Sequence, residues 1–136
     1  MTQNNSHLQN AAVEAVFDPA ALDGARVKAA QSSLDSFVVF FEDGRGLVLK
    51  ATADEDECGI NAAVIDAGQI ESAADAVCAV DWSWIYGQTV LPGGVRASRG
   101  MHPTVRLTLS GVGTITIAVA LWQGKPVLSF MPYKKP

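Results

Sequence analysis

The stretch TVRLTLSGVGTITIAVALWQGKPVLSFM, residues 104–131, decides the fold. Val105, Leu107 and Leu109 alternate with Thr104, Arg106, Thr108 and Ser110. Ile115, Ile117, Val119 and Leu121 alternate in the same way with Thr114, Thr116, Ala118 and Ala120. A period of two is that of a strand with one buried face. A hairpin must keep both apolar sets on one side, because a one-residue slip reverses a strand's faces. Leu109 opposite Ile115, Leu107 opposite Ile117 and Val105 opposite Val119 satisfies this. It leaves Gly111-Val112-Gly113 as a three-residue loop, with glycine where such loops want a left-handed residue. Gln123-Gly124 reads as a two-residue turn, setting Leu121 against Pro126, Val119 against Leu128, Ile117 against Phe130 and Trp122 against Lys125. Pro126 has no N–H to donate, so the third strand should be an edge.

The outcome is an antiparallel meander with a greasy face that something must cover. Its other face carries Ala118, Ala120, Trp122, Val127 and Met131 beside Arg106, Thr108 and Thr116. That is more apolar than water requires, and this face is expected to pack on the first hairpin or on a second copy of the chain.

Upstream, residues 36–52 form a hairpin about Asp43-Gly44, with Glu42 expected opposite Arg45, Phe40 opposite Leu47 and Val39 opposite Val48. Residues 37–41 are apolar on both faces, as in a central strand. An acidic loop at 54–57 precedes a short strand at 60–65. Ile70, Ala73, Ala74, Val77 and Cys78 then fall at helical spacing, and Asp66 with Gln69 makes a capping box. The pattern predicts one main helix about 67–79, serving as a lid on the meander. Residues 91–102, with Pro92, Gly93 and Gly94, read as an irregular loop. Residues 11–17 and 26–33 fit strand or helix, and residues 1–10 read as a frayed tail. The predicted class is α+β: one domain, 11–136, with an antiparallel sheet of five or more strands.

A chain of 136 residues, 49% apolar and 18% charged, suits one such domain. No basic segment leads into an apolar one near the start, and no apolar run reaches the ~20 residues that span a bilayer. A cytoplasmic protein without membrane contact is expected. All fourteen acidic residues lie at or before Asp81, with four basic ones; residues 82–136 hold six basic residues and no acid. That polarity marks either a face for an anionic partner or two halves that neutralise each other.

Catalytic signatures are missing: there is no GxSxG and no HExxH. The acidic loop fails as a calcium site, since Ile65 stands where the bidentate glutamate belongs. Cys58 and Cys78 lack metal-ligand spacing and read as free thiols. No cofactor and no metal are expected, nor is nucleic-acid binding. Arg96, Arg99, His102 and Arg106 are the candidate binding residues, because guanidinium groups grip phosphate or carboxylate in bidentate fashion. Trp82 and Trp84 serve either as core or as a ligand platform beside them. The expected function is a non-catalytic binding or regulatory module. Its partner is another protein, the chain itself as a homodimer, or an anionic small molecule. The alternative is a small enzyme or ligand-binding protein with a pocket near Trp82, Trp84 and the loop 96–106.

The run Phe41-Glu42-Asp43-Gly44-Arg45 with Leu47 and Leu49, the acidic loop after it, and Trp82-x-Trp84 before a glycine-rich stretch resemble a small bacterial domain family that has no characterised activity. The resemblance spans about residues 35–122 and implies neither an activity nor a site.

Overall fold

A computed structural model describes residues 18–54, 57–70, 80–98 and 103–133. The chain folds as two successive four-stranded meanders. The first sheet runs β1 (Val27–Ser32), β2 (Ser36–Phe41), β3 (Arg45–Asp54), β4 (Glu57–Asp66); the second runs β5 (Val90–Ser98), β6 (Thr104–Leu109), β7 (Gly113–Trp122), β8 (Lys125–Met131). Every neighbouring pair is antiparallel, and strand order follows chain order in both sheets.

The two greasy faces lie against each other as a sandwich. Phe37, Val39, Phe41, Leu47 and Leu49 of the first sheet share one core with Val105, Leu107, Leu109, Ile115, Ile117, Leu128 and Phe130 of the second. Each large side chain removed from water in this way contributes about 1.5–3 kcal/mol. Phe37 and Phe130 meet at 5.3 Å between ring centroids, β8 lies against β2 and β3, and β7 lies against β4. Leu128 N–H also donates to Leu34 O across the gap, at 2.9 Å. At another edge the sheets are stitched by backbone: Val27 N–H to Gln88 O, Gly87 N–H to Val27 O and Val90 N–H to Ala25 O, each 2.8 Å.

These findings correct the predicted α+β class. Among the described residues the regular structure is strand, broken by short 3₁₀ turns at Pro19–Leu22, Ala67–Gln69 and Ser83–Ile85. Asp66 does cap a turn, accepting Gly68 N–H at 3.1 Å, but Ile70 is already extended (φ −95, ψ 124). Its side chain packs over Gly46, in the space that a methyl group on that glycine would take. The predicted main helix 67–79 therefore does not begin where its capping box stands; residues 71–79 lie outside the described residues, as do the tail 1–10 and residues 11–17. The meander's cover is the whole first sheet. A single sheet of five or more strands is likewise replaced by two of four.

The predicted registers fare unevenly. At Gln123-Gly124 all four expected pairs occur, and β8 is an edge strand. At the preceding turn Leu107 faces Ile115 and Val105 faces Ile117, two residues away from the expected pairing, so the apolar face survives. Ser110 leaves that ladder for the other side, donating its N–H to Thr89 O at 2.8 Å and accepting Thr89 N–H on its hydroxyl at 2.9 Å. In the first hairpin the slip is a single residue: Val39 faces Leu47 and Phe37 faces Leu49. The loop is Glu42-Asp43-Gly44, with Gly44 left-handed at φ 91. This slip is what collects Phe37, Val39, Leu47 and Leu49 on one side.

Arg45 braces that loop. Its Nε and Nη2 donate to Asp43 Oδ2 at 2.9 and 2.6 Å, and its Nη1 donates to Ala21 O at 2.6 Å. Those hydrogen bonds, with the positive charge behind them, hold the Asp43 carboxyl below its usual range. A depressed carboxylate pKa adds stability above the unfolded value, about 3.9, and loses it as pH falls through the folded value. Both groups are partly exposed, so the effect is screened. Asp43→Asn is expected to lower unfolding free energy by about 0.2–1 kcal/mol at pH 7, with the difference shrinking below pH ~4 in urea melts.

Candidate functional site

Residues 91–98, expected as part of a loop, belong to β5. The irregularity that hides the strand is a bulge: Val90 faces Leu109 and Val95 faces Leu107, so Leu91, Pro92, Gly93 and Gly94 together oppose Thr108. Such bulges bend a strand and re-aim its side chains. Here Gly94 is buried, and a methyl group on it would stand 2.6 Å from Leu91 O and 2.7 Å from Thr108 O. Only glycine fits.

The bulge forms one wall of an open groove of about 320 Å³ on the outer face of the second sheet. Leu91, Pro92, Gly93 and Gly94 line that side; Arg96, Arg106, Thr108 and Thr114 line the rest. Arg96 pairs directly with Arg106 across β5 and β6. Both are exposed, and neither has an acidic partner among the described residues. The ion pairs described there, Arg26–Glu42 and Arg45–Asp43, belong to the first half of the chain. Like charges directly opposite each other in a sheet are unfavourable. Arg96 Nε donates to Gly93 O at 3.2 Å, which ties the guanidinium to the bulge. Thr108 and Thr114 share a hydroxyl hydrogen bond of 2.8 Å on the groove floor.

The tryptophans are elsewhere. Trp82 is 2% exposed, within 4.7 Å of Phe37 and 5.2 Å of Phe130 by ring centroids, and its Nε1–H donates to Ser32 Oγ at 2.9 Å. Trp84 is half-buried and stacks on it at 6.1 Å. Asp81 builds the turn that presents them, accepting from Ser83 N–H and Oγ–H at 2.9 and 2.7 Å. Trp82 thus fills the sandwich interior, with Trp84 packed at the margin of that core, while Arg96 and Arg106 project from the far side of the second sheet. The structure brings Arg96 and Arg106 together and does not join them to the tryptophans. Arg99 and His102 lie outside the described residues.

A second surface follows from the outer face of β7 and β8, where Thr116 pairs with Met131, Ala118 with Ser129, Ala120 with Val127 and Trp122 with Lys125. It does not pack on the first hairpin, which covers the opposite face. Trp122 is 51% exposed and Met131 73%, and Leu121 and Tyr133 beside them are also exposed. Sequence reading placed Leu121 on the covered side, but this end of β7 overhangs the core.

Among the described residues, no helix is long and apolar enough to cross a membrane, and no three His, Cys, Asp or Glu side chains gather as a metal site requires. No family model matches the chain, and no curated protein or solved structure matches it either.

Proposed function

We propose that the chain is a non-catalytic binding module whose outer second-sheet face docks an acidic protein partner. The observation that carries this is Trp122 and Met131, large and exposed, on a face whose charges among the described residues are Arg96, Arg106 and Lys125. Aromatic and methionine side chains with arginine are what interface centres are enriched in. The positive charge selects the partner: a two-fold contact through this face would bring two positively charged faces together, whereas an acidic surface complements them. The described groove lining offers arginine and threonine donors between glycine, leucine and proline, side chains suited to binding. A cytoplasmic location, expected from the sequence, is part of this proposal. Membership of the small bacterial domain family suggested by the 41–45 and 82–84 motifs is part of this proposal and supplies no activity.

The test compares the wild-type chain with Trp122→Ser/Met131→Ser, a surface change expected to leave stability within about 1 kcal/mol. Capture from a host extract should recover an acidic protein whose affinity falls at least about tenfold for the double variant and weakens with salt. Light scattering should give a monomer. Equal capture by both chains, or a wild-type dimer that the double variant dissolves, overturns the reading.

A further inference from the structure

We infer that the groove beside Arg96 and Arg106 is an oxyanion site, taking the phosphate or carboxylate group of a small molecule. This deepens the reading above, since the same groove can accept a partner's carboxylate, but it stands on different residues.

The sheet places two guanidinium groups on directly opposed residues, where Cβ atoms lie about 4.5–5.5 Å apart, well inside the ~8–10 Å over which salt screens charge. Without an anion that arrangement is repulsive; with one between them it becomes a clamp. Arg96 is held in place by Gly93 O, so part of its ordering cost is met before a ligand arrives. Of the two hydroxyls on the floor, one donates to the other, which leaves the second O–H free to point at an acceptor. Among the described residues the groove lining holds no competing carboxylate. The nearby acid, Asp23, is engaged with the bulge, accepting Gly93 N–H at 3.1 Å. An oxyanion seated here meets two forks and a hydroxyl, a donor set suited to phosphate or carboxylate and unsuited to a cation.

The experiment is a titration of the ¹⁵N-labelled chain with inorganic phosphate at constant ionic strength, following the amides of Gly93, Gly94, Thr108 and Thr114 and the Nε–H groups of Arg96 and Arg106. Saturable shifts at millimolar phosphate are expected, and sodium chloride should not reproduce them. Arg96→Gln and Arg106→Gln should each weaken binding about tenfold or more, while Arg106→Lys, keeping charge without the fork, should fall between. These are exposed positions, and dispersed spectra will confirm that the variants fold. At low salt both Gln variants should melt above the wild type, and phosphate should close that gap. Shifts that fail to saturate, or that persist unchanged in the Gln variants, overturn the site.

A blocked penta-glutamate peptide separates the two sources of anion. Shifts confined to the groove with phosphate, and no tighter binding of peptide, assign a free small anion. Tighter peptide binding with shifts reaching Met131 overturns that assignment in favour of a partner's carboxylates. The Trp122→Ser/Met131→Ser chain should bind phosphate as the wild type does, so failure of the docking reading leaves this site intact.

Discussion

Trp82→Ala is expected to lower unfolding free energy by about 3–5 kcal/mol, a large share of the stability of a domain this size. The side chain is the largest in the core and lies against rings from both sheets, Phe37 on β2 and Phe130 on β8. Truncation opens a cavity between layers that backbone ladders prevent from collapsing. It also strands Ser32 Oγ, itself only 6% exposed, by removing the indole N–H that donates to it. Trp82→Phe separates the two effects. The ring stays, the hydrogen bond goes, and about 1–3 kcal/mol should be lost through the unsatisfied hydroxyl together with some packing volume. Ser32→Ala spares the ring but leaves the buried indole N–H without its acceptor, and should also cost about 1–3 kcal/mol, less than Trp82→Ala. Denaturant melts followed by far-ultraviolet circular dichroism measure all three. A loss below about 1 kcal/mol for Trp82→Ala means that this residue does not hold the sheets together, and the sandwich core is misplaced.

Trp82 also shows where sequence reading reaches its limit. Spacing places Trp82 and Trp84 on one face of a strand, but Asp81 accepts from Ser83 just ahead of a 3₁₀ turn there, and one indole goes into the core while the other is left half-buried beside it. Turn chemistry was decisive where it left a single solution. Gln123 and Gly124 are both left-handed (φ 53 and 79), a pair that suits a two-residue hairpin, and every pairing that follows from it occurs. Gly111 and Gly113 are both left-handed too, and two glycines so close admit registers two residues apart. Asp43-Gly44 admits a two- or three-residue loop, and only burial of the Phe37 face selects the longer one. The alanine-rich stripe at 70–78 has helical spacing, yet periodicity carries no information about Gly46, over which Ile70 packs in extended form. Arg96 and Arg106 are conspicuous in the sequence as cations in a half without acids. Their juxtaposition is not, since it depends on β5, and the Pro-Gly-Gly interruption at 92–94 makes β5 read as a loop. Glycines inside a strand pattern are the signal for a bulge that the loop reading passed over.

Gly94→Ala is the substitution that tests the bulge and the groove together. The added methyl has backbone oxygens at 2.6 and 2.7 Å, and neither Leu91 O nor Thr108 O can swing aside as a side-chain tip would. Moving Thr108 O disturbs β6, and moving Leu91 O opens the wall that Leu91, Pro92 and Gly93 form. Overpacking of this kind costs about 1–3 kcal/mol. Gly113→Ala is the matched control: open space surrounds it, but φ is 88, so its cost, about 1–2 kcal/mol, is that of a left-handed backbone alone. The stabilities of these variants can overlap, and the phosphate titration is what divides them. Gly113→Ala leaves Arg96, Arg106 and the bulge where they are and should bind phosphate like the wild type. Gly94→Ala displaces the carbonyl network that positions Arg96 through Gly93 O, so its phosphate shifts should weaken about tenfold or vanish while the fold persists. Were Gly94→Ala to melt and bind as the wild type does, the bulge would not be closed around that hydrogen, and the groove would lose the wall on which its selectivity depends.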